Sequence, residues 1–373
     1  MTSEMMATDA GGTVTEIDGR AVRAAIEAAF ENEWTDGMPV VPVTASILEE
    51  FLAATDRDPA EVLFRIPHLN RELTVELAAL NAALAGCKPE YVPAVIAAWE
   101  SIAKEPHPVR GIWQSTTGTA PFLLVNGPVR TELGVNCAGN VFGSGFRANA
   151  TIGRAIRLAL NNVFGLRPHL LDQATQGTPA RYAAVIGEYE ELSPWEPFHV
   201  EHGFGADESV VTAFVIRSVV HIEARHAMTP EQLAEDLIDT IARTGALIHE
   251  YTSTLLVLTP EHAALFADAG WSKAQLRDYI TTNAVLDRAD LERVGKDALA
   301  TKSRWRLPRA HPDATADSAA SSDEPDRVPV LRFPSSVQIV VAGANNAGVS
   351  AVVEVFTLNP PREEPYSATA IRA

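Results

Sequence analysis

Between residues 134 and 165 the sequence changes halfway from a glycine-rich run to a helical pattern of apolar residues, and this change limits what the chain can fold into. Its first half is rich in glycine, at Gly134, Gly139, Gly143 and Gly145. Such a run suits neither a regular helix nor a central strand, because glycine loses much backbone entropy there and offers no side chain for packing. From Asn149 onward, apolar residues recur at helical spacing. The sequence therefore predicts a glycine-rich loop that leads into a helix near Ala148.

A loop of this kind presents free backbone N–H groups and the positive end of a helix dipole. Two arginines lie on or beside the first turn of the predicted helix, so we expect a carboxylate or phosphate to bind there. The alternative is an ordinary surface loop, since neither the Walker spacing nor the dinucleotide fingerprint is present. The residues expected to bind substrate are Gln114, Thr116, Asn126, Asn136, Gly143, Gly145, Arg147, Asn149 and Arg154.

Gln114 and Thr116 enter that set because they belong to a polar cluster, QSTT, directly before a predicted strand. Their side chains can hydrogen-bond the oxygens of a ligand. A capped turn explains the same residues equally well.

The charge balance of the chain excludes several classes of partner. Its 373 residues carry a formal net charge of −18, which argues against nucleic acid and anionic membranes. No apolar run approaches the roughly 20 residues that span a bilayer. The first residues, MTSEMMATDAGG, do not resemble a signal peptide, and two cysteines cannot form a disulfide framework. We expect a cytoplasmic homo-oligomer that binds a small anionic substrate.

Helical and strand patterns alternate along the chain, which predicts an α/β fold with mixed sheets flanked by helices. Helices are predicted over 17–32, 45–55, 74–85, 89–103, 148–165, 229–246, 260–267 and 272–284. Strands are predicted over 121–126, 182–187, 210–222, 253–258, 337–342 and 349–356.

The two halves of the chain share a layout. STLLVLTPEHAALFADAG echoes PFLLVNGPVRTELG as strand, proline turn, short helix and glycine. We infer two similar lobes, 17–205 and 206–373, related by an internal duplication, with the functional site in the cleft between them. Residues 1–16 are predicted to be a disordered N-terminus. The segment 311–327 is poor in apolar residues and is predicted to be a flexible segment within the second lobe.

Cys87 lies in AGCKPEY, just before a helix that begins with a proline. A thiol near a helix N-terminus and beside Lys88 can have a depressed pKa and act as a nucleophile or redox group. The alternative is a small buried apolar residue. Cys137 lies inside the glycine-rich loop, where contact with a ligand is plausible, but no CxxC spacing links the two cysteines.

The segment from 188 to 202 holds the densest set of acid/base groups in the chain. Glu188 and Glu190 point to one side if the strand continues, and together with His199 they can transfer protons. A divalent metal on Glu190, His199 and His202 is the alternative, although HVEH lacks the HExxH spacing of zinc proteases. No other cofactor is indicated. A solvated acidic loop would explain the same residues without any chemistry.

Several segments together resemble a widespread bacterial domain that also accompanies the UGSC-motif (seleno)protein family. They are WTDGMPVVPVT, TVELAALNAALAGCKPEYVPAVIAA, NGPVRTELGVN, FRANATIGRAIRLALNNVFG and ELSPWEPFHVEHGF. The resemblance runs from about Trp34 to Phe204 and implies a site that includes Asp36, Cys87, Glu90, Asn126, Arg147, Asn149, Arg154, Glu188, Glu190, Trp195, His199 and Glu201. The thiol or selenol redox role suspected for the family rests on the UGSC motif, which this chain lacks.

The sequence thus predicts an enzyme that acts on a small anionic organic substrate by acid/base chemistry, as a lyase, hydratase or isomerase. Cys87, Glu188, Glu190 and His199 are the expected catalytic residues, the thiol in an assisting role. The alternatives are a thiol-dependent oxidoreductase, a non-catalytic metal- or ligand-binding module, and a subunit of a UGSC-type partner.

Overall fold

The computed structural model describes residues 7–8, 14–15, 18–104, 109–244, 252–293, 327–331, 333–356 and 364–372. Of the predicted disordered N-terminus, only the strand pair β1 (Ala7–Thr8) and β2 (Val14–Thr15) belongs to these ranges. The predicted flexible segment 311–327 lies outside them except for its last residue.

Helices and one hairpin precede the main sheet: α1 (Gly19–Glu31), α2 (Ala45–Leu52), β3 (Val62–Ile66), β4 (Arg71–Thr74), α3 (Val75–Ala85) and α4 (Val92–Lys104). Thr44 and Thr74 cap α2 and α3, because each hydroxyl accepts a backbone N–H at 3.3 Å. Gly86 ends α3 with a φ of 87°, which glycine adopts without steric cost. The four predicted helices are confirmed, with ends shifted by a few residues. The β3–β4 hairpin is absent from the sequence prediction.

The glycine-rich loop lies in the segment that follows. Its elements are α5 (Val109–Ile112), β5 (Ala120–Asn126), α6 (Val129–Glu132), α7 (Arg147–Asn162), β6 (Val185–Gly187) and α8 (Phe198–Glu201). The predicted helix after the glycine-rich loop is confirmed as α7. The predicted strands over 121–126 and 182–187 are confirmed as β5 and the shorter β6.

The second half contains β7 (Val210–Glu223), α9 (Pro230–Thr244), β8 (Thr252–Leu258), α10 (Pro260–Asp268), α11 (Lys273–Asn283), β9 (Val285–Asp287), α12 (Arg288–Arg293), β10 (Arg327–Pro329), β11 (Val337–Val341), β12 (Val349–Phe356) and β13 (Ser367–Ala370). The predicted strands and helices of this half are confirmed. A capping box at Ser272 and Gln275 starts α11.

One mixed sheet of seven strands organises the fold, which confirms the α/β class. Its strand order is β11-β8-β12-β7-β5-β6, and β13 pairs with the first part of β7. β5 and β6 are parallel, β8 and β11 are parallel, and the other pairs are antiparallel. The predicted lobes 17–205 and 206–373 therefore share one sheet, since β7 pairs with β5.

The strand order and directions read the same from both edges of the sheet. Each edge carries a parallel pair, β6 with β5 and β11 with β8, followed by an antiparallel strand near the centre. An internal duplication would produce this arrangement, but the topology alone does not establish one, and the duplication stays a prediction.

The sheet curls back on itself. β6 and β11 stand at opposite ends of the strand order, about 24 Å apart if the sheet were flat. Nevertheless, the N–H of Tyr189, just after β6, donates to the carbonyl of Val341 in β11 at 2.6 Å. The segment Asn136–Cys137 lies between the ends of these strands: its carbonyls accept from Gly187 in β6 at 2.9 Å and from Gly343, two residues after β11, at 2.8 Å. The glycine-rich loop thus lies where the two edges of the sheet meet.

Three clusters of buried apolar side chains follow from the alternation along the strands. α3, α4 and α7 pack on one face of β5 and β7, and α9, α10 and α11 pack on the same face of β8, β11 and β12. The opposite face, which the curl encloses, carries Phe122, Phe214, Val257 and Val353 together with Phe198 and Tyr366. Across the described ranges, we find no helix with the length and apolar character that crossing a bilayer requires.

Candidate functional site

The two arginines expected to hold an anion bind the chain itself. Arg154 forms a two-pronged ion pair with Asp36, with both N–O distances at 2.9 Å, and also donates to the carbonyls of Met38 and Pro39. Burial alone would raise the pKa of Asp36, but the hydrogen bonds and charge of Arg154 outweigh it and hold the pKa below its usual value. Arg147 donates to the carbonyls of Gly86 and Cys87 at 2.9 and 3.2 Å.

Arg147 and Arg154, which the sequence predicts to bind an anion, thus have partners within the chain. Through Nε and Nη2, both guanidinium groups hold preceding segments of chain against α7. The expectation of a depressed pKa at Cys87 is wrong. Its thiol is buried, and burial raises its pKa to about 12, while the Thr151 hydroxyl and the Arg147 charge only partly oppose the rise. A thiol with this pKa is a poor nucleophile at neutral pH.

The asparagines of the glycine-rich loop also have internal partners. The Asn149 side chain accepts from Asn136 N at 2.8 Å and donates to the carbonyls of Asn136 and Val185 at 3.1 and 2.9 Å. At Gly143 an added Cβ would lie 1.9 Å from Asn140 Oδ1, and Gly145 has a φ of 119°. Asn136, Asn149 and Gly145 therefore serve the shape of the loop, which places its middle, Asn140–Gly143, over a cavity.

Gln114 and Thr116 lie elsewhere. Gln114 Nε2 contacts His68 Nε2 at 2.8 Å, and the carbonyl of Thr116 accepts from Thr175 N at 3.0 Å. Neither residue lines the cavity described below.

The expected acid/base residues meet at the ends of β5 and β6. Asn126 Nδ2 donates to Glu188 Oε2 at 2.6 Å and to Glu190 Oε1 at 3.1 Å. Glu190 Oε1 also accepts from Gly127 N at 2.7 Å, and Glu188 Oε2 from Phe198 N at 2.7 Å. Glu188 is fully buried, and burial raises its pKa although the distant Lys273 charge and these hydrogen bonds oppose the shift.

His199 is 1% exposed, beside the same group. Neither ring nitrogen makes a well-formed hydrogen bond within the described chain. Burial lowers its pKa, and the Glu190 charge and the carbonyls of Ala206 and Gly205 offset this only in part. The environment of His199 therefore favours the neutral imidazole.

The alternative metal ligands do not form a ligand set. Nδ1 of His202 lies 2.6 Å from the carbonyl of Phe198, and its ring stacks on the Phe198 ring at 4.1 Å between centroids. Over the ranges that the structure describes, no group of three or more His, Cys, Asp or Glu side chains is arranged to hold a metal ion.

Cys137 contacts a partly buried arginine. Arg130 Nη1 lies 3.2 Å from Cys137 Sγ, and the same guanidinium pairs with Glu191. Gly187 makes room for this side chain, because an added Cβ would lie 2.8 Å from Arg130 Cδ. Burial raises the pKa of Cys137, and the positive charge of Arg130 opposes but does not cancel the rise.

A cavity of about 350 Å³ lies between the glycine-rich loop and the carboxyl ends of the parallel strands β8 and β11, a common position for ligand sites in α/β sheets. Its lining residues are Asn140, Val141, Phe142, Gly143, His221, Val257, Thr259, Ala342, Gly343, Ala344, Asn346, Ala347, Val349, Ser350 and Ala351. None of these described residues is Asp or Glu, although the chain carries 48 of them. Among the predicted site residues, Gly143 alone lines the cavity.

The polar residues that the second half contributes to this cavity are not predicted from the sequence. His221 pairs in register with Ala351, so its ring stands on the cavity face of the sheet, 6.0 Å from the Phe142 ring centroid. Thr259 follows β8, and Asn346 lies in the turn between β11 and β12. Thr259 could have been predicted from the similarity of two segments that follow a strand, NGPV and LTPE. This similarity assigns both loops the same position in the fold.

No family model matches this chain, and no curated protein is similar enough to count as a match. The resemblance to the UGSC-associated domain therefore stays a prediction.

Proposed function

We propose that this protein is an enzyme that binds a small anionic organic molecule in the cavity beneath Asn140–Gly143 and moves a proton on it, in the manner of a lyase, hydratase or isomerase. The observation that carries the proposal is the composition of the cavity wall: it offers hydrogen-bond donors and, over its described lining, no carboxylate. In a chain of net charge −18, a wall free of acidic side chains favours an anionic guest.

Backbone groups supply the donors. The N–H groups of Ala344, Asn346 and Ala347 make no hydrogen bond within the described chain. The turn that carries them has positive φ values at Gly343, Ala347 and Gly348, a backbone form that can direct successive N–H groups toward a common point. The Asn140–Gly143 segment faces this turn across the cavity and closes it from the other side.

His221 is the proposed proton-transfer group, since it is the acid/base side chain that lines the cavity. Glu188 and Glu190, which the sequence predicts in that role, share the amide of Asn126 at the ends of β5 and β6, and His199 is buried beside them; none of the three lines the cavity. The thiol-dependent alternative has weaker support, because burial raises the pKa of both Cys87 and Cys137. A cytoplasmic location and a homo-oligomeric state belong to the same proposal and rest on the composition of the chain.

A thermal-shift screen of small carboxylates and organic phosphates tests the binding step. A true ligand at 100 times its dissociation constant stabilises the fold by about 2.7 kcal/mol. Asn346→Asp adds a negative charge to the cavity wall, and we expect it to weaken binding about fivefold. Asn345→Asp is the matched control, because it adds the same charge one residue away, outside the lining. Equal affinities in the two variants would remove the cavity from the proposal.

Hydrogen exchange tests the chemical step. Each ligand found in the screen is incubated with the protein in D₂O, and NMR follows deuterium entering its C–H positions. We expect exchange or turnover that His221→Asn slows at least about a hundredfold. A ligand that binds but neither exchanges nor reacts would instead support the non-catalytic binding module.

A further inference from the structure

We propose that the anionic group of the ligand binds at the N-terminus of α10, where Thr259 and the first N–H groups of the helix receive a carboxylate or phosphate. This inference rests on the proposed function and assigns the position and chemistry of the anion within that cavity. It places the anion beside Thr259, which lines the cavity, rather than at the N-terminus of α7, where the sequence predicts it.

The N-terminus of α10 has no cap from its own chain. At α2, α3 and α11 the side chains of Thr44, Thr74 and Ser272 each accept a helix N–H. Thr259 stands in the same position before α10, yet its side chain makes no capping hydrogen bond. The N–H groups of Glu261 and His262 consequently have no acceptor in the described structure.

The Thr259 hydroxyl is a second, independent observation. The residue is 4% exposed, and its Oγ1 has no hydrogen-bond partner in the described structure. Leaving such a group unpaired is unfavourable, so natural structures rarely do so without a reason. Thr259 continues the alternation of β8, in which Leu255 and Val257 face the enclosed side and Leu256 and Leu258 face the helices. Its side chain therefore stands on the cavity side, next to Gly343.

Neighbouring groups fix Thr259 in this position. Its N–H donates to Ser350 Oγ at 3.1 Å, and Ser350 Oγ lies 2.7 Å from His262 Nδ1. Burial lowers the pKa of His262, which favours a neutral ring that shares this hydrogen bond with the serine hydroxyl. Ser350, which also lines the cavity, and His262 are positioning residues, because the Ser350 hydroxyl links His262 to the Thr259 backbone.

The donors define the class of ligand. A hydroxyl, two helix N–H groups and the positive end of the helix dipole suit the oxygens of a carboxylate or phosphate. Glu261, in the first turn, does not fill the site, because its carboxylate accepts the N–H of Gly348. No Lys or Arg is found among the described lining residues, so binding depends on aligned neutral donors rather than on an ion pair.

The experiment uses two probes, inorganic phosphate and malonate, each measured against chloride at equal ionic strength. Thr259→Val removes the hydroxyl with little change of shape. Thr212→Val is the matched control, because Thr212 also has a buried hydroxyl without a partner but lies outside the cavity lining. We expect at least one probe to stabilise the wild type and Thr212→Val equally, and to bind Thr259→Val about tenfold more weakly.

Two outcomes overturn the inference: neither probe stabilises the wild type, or both variants bind as the wild type does. The second result leaves the proposed function intact if Asn346→Asp still weakens binding of a ligand from the organic screen, because the anion then sits elsewhere in the same cavity. If no organic ligand responds to Asn346→Asp either, the proposed function fails as well.

Discussion

Asn126 ends β5, Glu188 directly follows the adjacent parallel strand β6, and the amide of Asn126 donates to the carboxyl group of Glu188 at 2.6 Å. The pair is enclosed by protein, and Glu188 Oε1 and Asn126 Oδ1 have no hydrogen-bond partner in the described chain. A buried carboxyl group in such surroundings is held more easily in its neutral form.

Glu188 gives the stability of the fold a predictable dependence on pH. Burial raises the pKa of Glu188 in the folded protein. The carboxyl group therefore contributes its full stabilising free energy below the unfolded pKa of about 4.3, and this contribution is lost as pH rises through the folded pKa. Glu188→Gln imitates the neutral form. We expect urea unfolding to show this variant gaining stability relative to the wild type from pH 4.5 to pH 8.

Glu188→Ala is the contrasting variant, because it leaves the N–H donors of Asn126 and Phe198 without their acceptor. It should lose about 1–3 kcal/mol at every pH. If Glu188→Gln were as unstable as Glu188→Ala at pH 8, this would contradict the prediction that the fold favours a neutral carboxyl group at Glu188.

The two thiols should differ in reactivity. Cys87 is buried with a pKa of about 12, whereas Cys137 is partly exposed. With iodoacetamide at pH 8, we expect mass spectrometry to find Cys137 alkylated and Cys87 protected until urea unfolds the protein. Cys87→Ser should also leave binding of any ligand from the screen unchanged. Fast labelling of Cys87 in the folded protein would restore the thiol chemistry considered in the sequence analysis.

The Asp36–Arg154 pair should behave as a buried ion pair. The Asp36 side chain is 1% exposed and that of Arg154 is 13% exposed. Asp36→Asn leaves the guanidinium without its counter-charge and should cost about 3–5 kcal/mol of stability. The double variant Asp36→Ala/Arg154→Ala should cost clearly less than the sum of its single variants in a double-mutant cycle. Additive losses would mean that the two side chains are not coupled.

Gly127 and Gly134 offer a matched test of close backbone approach. Both have positive φ values, 81° and 68°, but a Cβ at Gly127 would lie 2.1 Å from the carbonyl oxygen of Glu208, whereas none of the described atoms lies within 4 Å of a Cβ at Gly134. Gly134→Ala should cost about 1 kcal/mol, and Gly127→Ala at least about 3 kcal/mol. Comparable unfolding midpoints would refute the close approach at Gly127.

Local signals suffice to predict much of the fold. Thr74 and Gly86 bound α3, the spacing after Asn149 defines α7, and the apolar runs 253–258 and 349–356 become β8 and β12. The partners of side chains are not predictable in this way. Arg154 bonds to Asp36, which lies 118 residues earlier in the sequence, and Arg147 bonds to Cys87, 60 residues earlier. Local patterns therefore do not reveal that both arginines have partners within the chain.

The candidate site shows the same limit. Glu188, Glu190 and His199 are predicted to lie together, and they do, because neighbouring residues of one loop share a strand end. The cavity instead joins Asn140 to Thr259 and Asn346, residues that only the curl of the sheet brings together. The predicted lowering of the Cys87 pKa is wrong for a related reason. Burial of Cys87 depends on the packing of α3 and α7, which no local motif encodes.

The meeting of β6 and β11 through Asn136–Cys137 also bears on how copies of this protein can associate. An open sheet exposes rows of unpaired amides on which a foreign strand can grow, and this is a route to fibrils. Here the glycine-rich loop accepts the amide of Gly187 in β6 and that of Gly343, just after β11. Another chain could pair with the sheet at these amides only if the glycine-rich loop moved away. Contacts between copies should therefore form through the helical surfaces.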